Sequence, residues 1–238
     1  MAGAETETRQ AIAGLRLLVA AAAFAPAPAA AGAWIAPEGG QNILTSTLVD
    51  HEETVTYEGS GYYEAPVRED TSLVLAPWVE TNPELVTGWR AEATAGVKHV
   101  FYRTDENVMA LQAGALWVSM PDAGCGEGGA EVRWLGGSSF NEGRAFLNVE
   151  AAARALSGGC EGGRLDVTAG YRPRENWLAM GQVFLDSPVE GHDTVRAQLT
   201  LVRFNNEGTG LQIGVRARLD GEDLEPALVI GLWRRGRD

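Results

Sequence analysis

Ser138 and Ser139 could supply a nucleophile, and they stand in the stretch GGSSFNEG. This stretch does not match the G-x-S-x-G pattern of serine hydrolases, and no histidine is placed in the sequence to activate either hydroxyl. The three histidines, His51, His99 and His192, lack the spacing of an HExxH metal motif. The sequence therefore predicts no enzyme and no metal or cofactor site, with a barrel enzyme acting on lipid as the minor alternative.

Cys125 and Cys160 are the two cysteines of the chain, and they stand in matching contexts, AGCGEGG and GGCEGG. The glycine-rich stretches lack the lysine and the strand-to-helix context of a phosphate-binding loop. A metal site is weakly supported because no histidine is nearby, whereas an exported chain with two cysteines favours a disulfide. We predict a Cys125–Cys160 disulfide that joins two loops at the same end of the fold.

Charged and polar residues recur at alternate positions of otherwise apolar segments. Arg196 and Gln198, for example, are separated by Ala197 and followed by Leu199. A period of two places such residues on one face of a strand and the apolar residues on the other. The set that we predict to share one face is Arg90, Glu92, Lys98, Glu131, Arg133, Glu150, Arg154, Asp166, Arg196, Gln198, Arg216 and Arg218.

These alternating segments are bounded by Gly, Asn, Asp and Pro, which is typical of strands joined by turns. The predicted strands are 41–57, 71–80, 85–95, 97–103, 107–120, 130–140, 144–156, 164–172, 176–185, 193–204, 211–219 and 226–235. The junction at Ala95-Gly96 is either a tight turn or the middle of one bent strand. With a turn there, short connections such as TNPE and TDE alternate with longer ones such as 58–70 and 121–129.

Twelve or so antiparallel strands, with short turns at one end and longer loops at the other, are typical of an outer-membrane barrel. A soluble sandwich would show the same alternation with its apolar face turned inward. The length of the strands and the charges of both signs along them favour the barrel. We predict an all-β fold, a closed antiparallel up-and-down transmembrane β-barrel of about 12 strands, whose charged set lines the lumen. A soluble periplasmic β-sheet binding protein is the alternative.

Aromatic residues stand near many strand ends, as expected of the aromatic girdles of a membrane barrel. The residues that we predict to lie at the membrane interface are Trp78, Trp89, Trp117, Trp177 and Trp233.

The N-terminal stretch RQAIAGLRLLVAAAAFAPAPAAAGAW has basic residues, an apolar run and small residues in the order of a secretory signal peptide. We predict a cleaved signal peptide over 1–33 and a barrel domain over 34–238. The formal net charge of −13 argues against nucleic acid as a partner, because binding to phosphates needs basic patches. The acidic stretches DHEE, REDT and DGEDLE are interpreted as hydrated loops.

The stretches GAEVRWLGGSSFNEGRAFLNVEAAARAL, GGRLDVTAGYRPRENWLAMGQVFLD and ALVIGLWRR, with GAWIAPEGGQNILTS after the leader, resemble a family of poorly characterised proteobacterial outer-membrane β-barrel proteins. Some members of that family are described as transporter-like or porin-like. The resemblance covers most of the predicted mature chain, and its motifs are turn and strand signatures. It implies a location in the outer membrane and a barrel architecture, and it implies no reaction.

The predicted function is a small-solute channel with a charged lumen, or a structural barrel of the envelope. The predicted partners are outer-membrane lipid with its lipopolysaccharide, small solutes and other envelope proteins, and no cofactor is expected.

Overall fold

The computed structural model describes residues 32–51, 54–81, 88–119, 124–187, 193–219 and 225–236. Residues 1–31, which make up most of the predicted signal peptide, lie outside this range. The described residues contain no helix that is long and apolar enough to cross a membrane. The strands are β1 Gln41–His51, β2 Thr54–Arg68, β3 Thr71–Thr81, β4 Trp89–Arg103, β5 Asn107–Val118, β6 Gly128–Phe140, β7 Ala145–Leu156, β8 Cys160–Arg174, β9 Trp177–Ser187, β10 Thr194–Phe204, β11 Thr209–Arg218 and β12 Glu225–Arg235.

All twelve strands form one closed antiparallel barrel in which each strand pairs with its neighbours along the chain. The first and last strands close the ring, with Leu44 of β1 opposite Leu232 of β12. This confirms the predicted all-β, up-and-down barrel. The odd-numbered strands finish at what we call the loop end, and the even-numbered strands finish at the turn end. The turn-end connections are the short ranges 69–70, 104–106, 141–144, 175–176 and 205–208.

The two faces of the barrel wall differ in polarity in the sense expected of a membrane barrel. On β10, Leu199 is 66% exposed and Leu201 37%, whereas Gln198 and Thr200 are only 8% and 6% exposed. Large apolar side chains therefore cover the outside, and polar side chains point into the interior. A soluble sandwich would bury the leucines instead.

The first predicted strand boundary is wrong. The range 41–57 is not one strand, because β1 ends at His51 and β2 runs from Thr54 to Arg68. The predicted loop 58–70 is therefore mostly strand. This segment alternates Glu58, Ser60, Tyr62 and Glu64 with small or aromatic residues. An inward face inside a polar barrel does not need apolar residues, so this pattern is compatible with a strand.

The predicted turn at Ala95-Gly96 is also absent, and β4 is one continuous strand through these residues. Gly96 lies opposite Gly114 of β5. A Cβ atom at Gly96 would lie 2.3 Å from the Ala113 carbonyl oxygen and 2.7 Å from the Gly114 Cα. This glycine therefore marks a close approach of two backbones and not a turn. The two errors compensate, and the total of twelve strands is unchanged.

Two of the five predicted interface tryptophans point inward. Trp233 is only 3% exposed and packs in an interior apolar cluster. Trp78 lines the interior cavity, where its ring lies under the Arg90 guanidinium. Both residues occupy inward positions of the strand alternation, and proximity to a strand end does not reveal that parity. The side chains of Trp89 and Trp117 lie on the outer face.

Trp177 lies next to the inward-facing Leu178 of β9, on the opposite side of the wall. Its ring is covered by the guanidinium of Arg203, whose carbon lies 5.5 Å from the ring centre. Arg203 is exposed on the neighbouring strand β10. The role of these outward tryptophans at a membrane interface stays a prediction.

Candidate functional site

The loop half of the barrel encloses a cavity of about 580 Å³. It is lined by inward-facing residues from strands around the whole ring, and these include charged side chains of both signs. Among the residues singled out in the sequence, the lining includes Arg90, Glu92, Arg133, Glu150, Arg154, Arg196, Gln198, Arg216 and Arg218. The other three members of that set, Lys98, Glu131 and Asp166, are buried side chains beside it.

On one side of the cavity, Glu131 is the centre of an ion-pair network. Arg154 donates a 2.8 Å hydrogen bond from Nε to one Glu131 oxygen, and Arg133 contacts the other oxygen at 3.1 Å. Arg133 also pairs with Glu150 at 2.8 Å, and Arg154 pairs with Glu92 at 3.1 Å. Glu131 is 1% exposed, so its charge is stabilised by these two arginines and not by water.

A second network lies on the side formed by β8 to β11 and β2. Arg216 donates a short hydrogen bond to Glu58, and Arg196 lies 3.8 Å from Glu58 and 3.5 Å from Asp186. The Nε atom of Arg196 is buried and has no hydrogen-bond partner among the described residues. Arg196 thus has unused donor capacity beside the cavity.

Arg164 extends this network along β8. Its Nε donates a 2.9 Å hydrogen bond to Asp166, and its guanidinium carbon lies 5.8 Å from the centre of the Phe184 ring. Both contacts orient the charged head group at the cavity wall.

Several acidic and basic residues of these networks were not predicted from the sequence. Glu58 and Asp186 fell in ranges predicted as loops, and Arg164 was the first residue of a predicted strand. Arg164 and Asp186 could have been found by following the period of two along β8 and β9, whereas the inward positions are odd-numbered on β1 and even-numbered on β2, so the period of the predicted strand 41–57 would have placed Glu58 outward.

The turn half of the barrel is filled by apolar side chains. One cluster consists of Phe146, Leu178, Met180, Val202, Phe204 and Trp233, and the other of Ala33, Val100, Val108, Ala110 and Leu135. Trp34 packs against both clusters. The apolar side chains of the interior are concentrated toward the turn end, where buried polar residues such as Glu64, Ser72 and Lys98 also lie.

The chain before β1 lies inside the barrel. Ala33 is fully buried and Ala36 is 5% exposed. A Cβ atom at Gly137 of β6 would lie 2.4 Å from the Trp34 ring, so the glycine provides the space that the indole occupies. We call residues 32–37 the inner segment. The predicted cleavage point after Ala33 falls within it and stays a prediction.

Lys98 holds the inner segment in place. Its ammonium donates hydrogen bonds of 3.1 Å to the Gly32 carbonyl and 2.7 Å to the Trp34 carbonyl, and it pairs with Glu64 at 2.7 Å. Glu64 in turn accepts a 3.1 Å hydrogen bond from the backbone N–H of Ala36. Lys98 is the only lysine of the sequence, and it is completely buried. A charge buried in this way is stabilised only while these partners stay in place.

Cys125 and Cys160 form the predicted disulfide. Cys125 precedes β6 and Cys160 begins β8, so the bond joins two loop-end connections on either side of the β6–β7 hairpin. Backbone hydrogen bonds from Gly126 to Ser157 and from Ser157 to Gly128 run between the same two connections.

We expect loss of this disulfide to destabilise the barrel. The bond closes a loop with a sequence separation of 35 residues. By the chain-entropy model, the Cys125→Ser/Cys160→Ser variant should lose about 3–4 kcal/mol in free energy of unfolding. The measurement is urea unfolding in detergent micelles, followed by tryptophan fluorescence. Reductant should destabilise the wild type and leave the double variant unchanged, and equal stability of the two chains would contradict this prediction.

The residues considered for catalysis are not brought together. The Ser138 hydroxyl donates to Asn107, and the Ser139 hydroxyl lies 3.4 Å from the Glu106 carbonyl oxygen. His99 is half-exposed and contacts Thr71 and Asp70. His51 has no described side chain, and His192 lies outside the described residues.

No protein-family model matches this chain, and no curated protein of significantly similar sequence was found. In structure, the chain is similar to the KdgM porin, with a TM-score of 0.59, 6% sequence identity, and coverage of 83% of this chain and 99% of that one. A KdgM porin in complex with disordered oligogalacturonate gives a TM-score of 0.61 at 6% identity, with the same coverage of 83% and 99%.

A third similar structure is the COG4313 outer membrane channel from Pseudomonas putida F1. It gives a TM-score of 0.58 and 10% identity, and the match covers 87% of this chain and 98% of that one. At these low identities the likeness shows the fold alone, a closed antiparallel β-barrel.

Proposed function

We propose that this protein is an outer-membrane channel for small polar solutes. The observation that carries the proposal is the polarity of the closed wall, which is apolar outside and encloses a charged cavity of about 580 Å³. A continuous apolar exterior without free strand edges suits a lipid environment. The similar structures are described as a porin and an outer membrane channel, which supports the same class.

The inner segment and the two apolar clusters would restrict passage at the turn end. Solutes would enter the loop-end cavity and meet ion-paired side chains before reaching Trp34. The filled turn half also favours a second candidate, a sealed barrel with a structural role in the envelope. The two candidates differ in whether ions cross the protein.

The charged residues of the cavity would set the ion preference of the channel. Arg196 and Arg216 are the cations that neutralise Glu58 and Asp186. Changing both arginines to glutamine removes two positive charges from the cavity and the ion pairs of these carboxylates with Arg196 and Arg216, so the preference should shift toward cations. Because the charges face a narrow interior where screening is incomplete, we expect a shift of about fivefold in the chloride-to-potassium permeability ratio.

The test is the reversal potential of the intact protein in a planar bilayer under a potassium chloride gradient. Arg203→Gln is the matched control, because Arg203 lies on the same strand as Arg196 but on its outer face. The control should behave like the wild type. An equal shift in the control, or no shift in the double variant, would argue against the assigned role of Arg196 and Arg216.

The proposal also places the outward apolar residues against membrane lipid, with lipopolysaccharide in the outer leaflet. Its cheapest test is cell fractionation together with the mobility of unheated protein on a gel. A membrane barrel should partition with the outer membrane and change mobility on heating, whereas a soluble periplasmic protein would leave with the periplasmic extract.

A further inference from the structure

Two arginines at the turn end of the barrel have buried nitrogen atoms without partners among the described residues. The Nε and Nη2 atoms of Arg172 and the Nε atom of Arg235 are inaccessible to solvent and make no hydrogen bond to this part of the chain. Neither arginine forms an ion pair with any carboxylate of the described residues. Buried polar groups in native proteins nearly always have partners, so three orphaned guanidinium atoms in one region indicate a missing acceptor.

The Arg235 guanidinium is held in a fixed position by aromatic rings. Its central carbon lies 4.4 Å from the centre of the Phe204 ring and 5.7 Å from that of Trp233. The two rings belong to the apolar cluster of the turn half and meet edge to face at 6.0 Å. A guanidinium lying over rings is oriented by them and keeps its N–H edge free for a ligand.

Arg172, on β8, adds a second positive charge to the same region. The two charges repel each other, and no described carboxylate offsets the repulsion at Arg235. Bringing two like charges together in a partly buried site is unfavourable unless an anion binds between them. The ligand that matches two guanidinium groups is an oxyanion with several acceptor oxygens, because Arg forks bind carboxylate and phosphate through paired hydrogen bonds.

We propose that Arg172 and Arg235 form a binding site for an oxyanion, a phosphate or a carboxylate, at the turn end of the barrel. The site is distinct from the loop-end cavity, whose lining includes neither residue. The apolar clusters and the inner segment lie between the two. The anion can come from a free solute or from a lipid headgroup, and the proposal does not depend on whether the barrel conducts.

The test is equilibrium dialysis of labelled inorganic phosphate against the intact protein in zwitterionic micelles, with ionic strength held constant by chloride. The wild type should bind phosphate saturably at one site. Because each arginine contributes charge-assisted hydrogen bonds, Arg172→Gln and Arg235→Gln should each weaken binding at least about tenfold. Arg234→Gln is the matched control, since Arg234 is the neighbouring residue on β12 and is exposed on the outer face.

Arg172→Lys and Arg235→Lys keep the charge and guard against misfolding of the glutamine variants. Each lysine variant should bind phosphate more weakly than the wild type while keeping its heat-dependent gel mobility. Phosphatidic acid added to the micelles should compete with phosphate if a lipid headgroup reaches the site, and it should leave binding unchanged if the ligand is a free solute. Absence of saturable binding, or equal weakening by Arg234→Gln, would overturn the proposal.

Discussion

Replacing Lys98 with methionine should lower the free energy of unfolding by about 3–5 kcal/mol, because it leaves the buried Glu64 carboxylate without its counter-ion. The Glu64 side chain is 3% exposed, and the Lys98 side chain is inaccessible to solvent. Glu64 would keep hydrogen bonds from Tyr62 and Ser72, both 2.7 Å long, but these neutral donors cannot replace a full positive charge. Loss of the ammonium also removes the donor that holds the Trp34 carbonyl, which lies within the predicted barrel domain.

Arg90→Met is the matched control, because the ion pair of Arg90 is as short as that of Lys98 but the Arg90 side chain is more exposed. Arg90 lies on the same strand as Lys98 and pairs with Glu80 at the same 2.7 Å, but its side chain is 43% exposed. An ion pair with one exposed partner contributes about 1 kcal/mol or less. Urea unfolding of both variants in detergent micelles measures the difference. Equal losses in the two variants would show that burial does not determine the contribution of Lys98.

A second partner substitution should restore part of the stability. In the double variant Lys98→Met/Glu64→Gln, neither of the two positions carries a charge. The glutamine oxygen can still accept hydrogen bonds from the Ser72 hydroxyl and the Ala36 backbone N–H. We expect the double variant to be more stable than Lys98→Met alone. This recovery separates the electrostatic cost from a simple loss of packing.

Arg154→Met should lower the free energy of unfolding by about 3 kcal/mol, which is at the lower end of the range for breaking a buried ion pair. Glu131 would keep only Arg133 as a cationic partner, together with a distant hydroxyl at Thr94 3.5 Å away. Glu92 would also lose its 3.1 Å partner, although its side chain is 27% exposed and can be hydrated. The same unfolding experiment measures the effect.

Arg164→Met is the control for Arg154, because Arg164 pairs with a single carboxylate at 2.9 Å and its side chain is 31% exposed. We expect a smaller loss of unfolding free energy in Arg164→Met, because the Asp166 carboxylate lies close enough to the cavity to be hydrated. A double-mutant cycle with Arg154→Met and Glu131→Gln should give a favourable coupling energy. A coupling energy of zero would contradict the role assigned to this network.

The alternation of residue types was sufficient to predict the architecture. A period of two in segments near ten residues, with charges on one face, has few solutions other than a barrel or a sandwich. The predicted strand boundaries were wrong where the inward face of a strand was polar. They were also wrong where a glycine allowed two backbones to approach closely. At Glu58–Glu64 polar residues look like a loop, and at Gly96 a close backbone approach looks like a turn.

Features that depend on distant contacts could not be predicted from local pattern. Nothing in the stretch GAWIAP shows that its backbone meets Lys98, which is more than sixty residues away in the sequence. The inward direction of Trp233 depends on the phase of β12, and its indole N–H donates to Gln212 inside the barrel. The local pattern indicates which residues share a face of one strand. Which of these residues meet inside the barrel depends on the pairing of all the strands around the closed ring.

The most direct test of solute passage is the current through single proteins in planar bilayers, compared between the wild type and Lys98→Met. We expect the wild type to give small discrete steps of current, because the inner segment and its apolar neighbours narrow the interior of the turn half. Lys98→Met should give larger steps, since the inner segment loses its main polar anchor. Flat recordings from both proteins, with insertion verified by heat-dependent gel mobility, would contradict a channel and leave a sealed structural barrel.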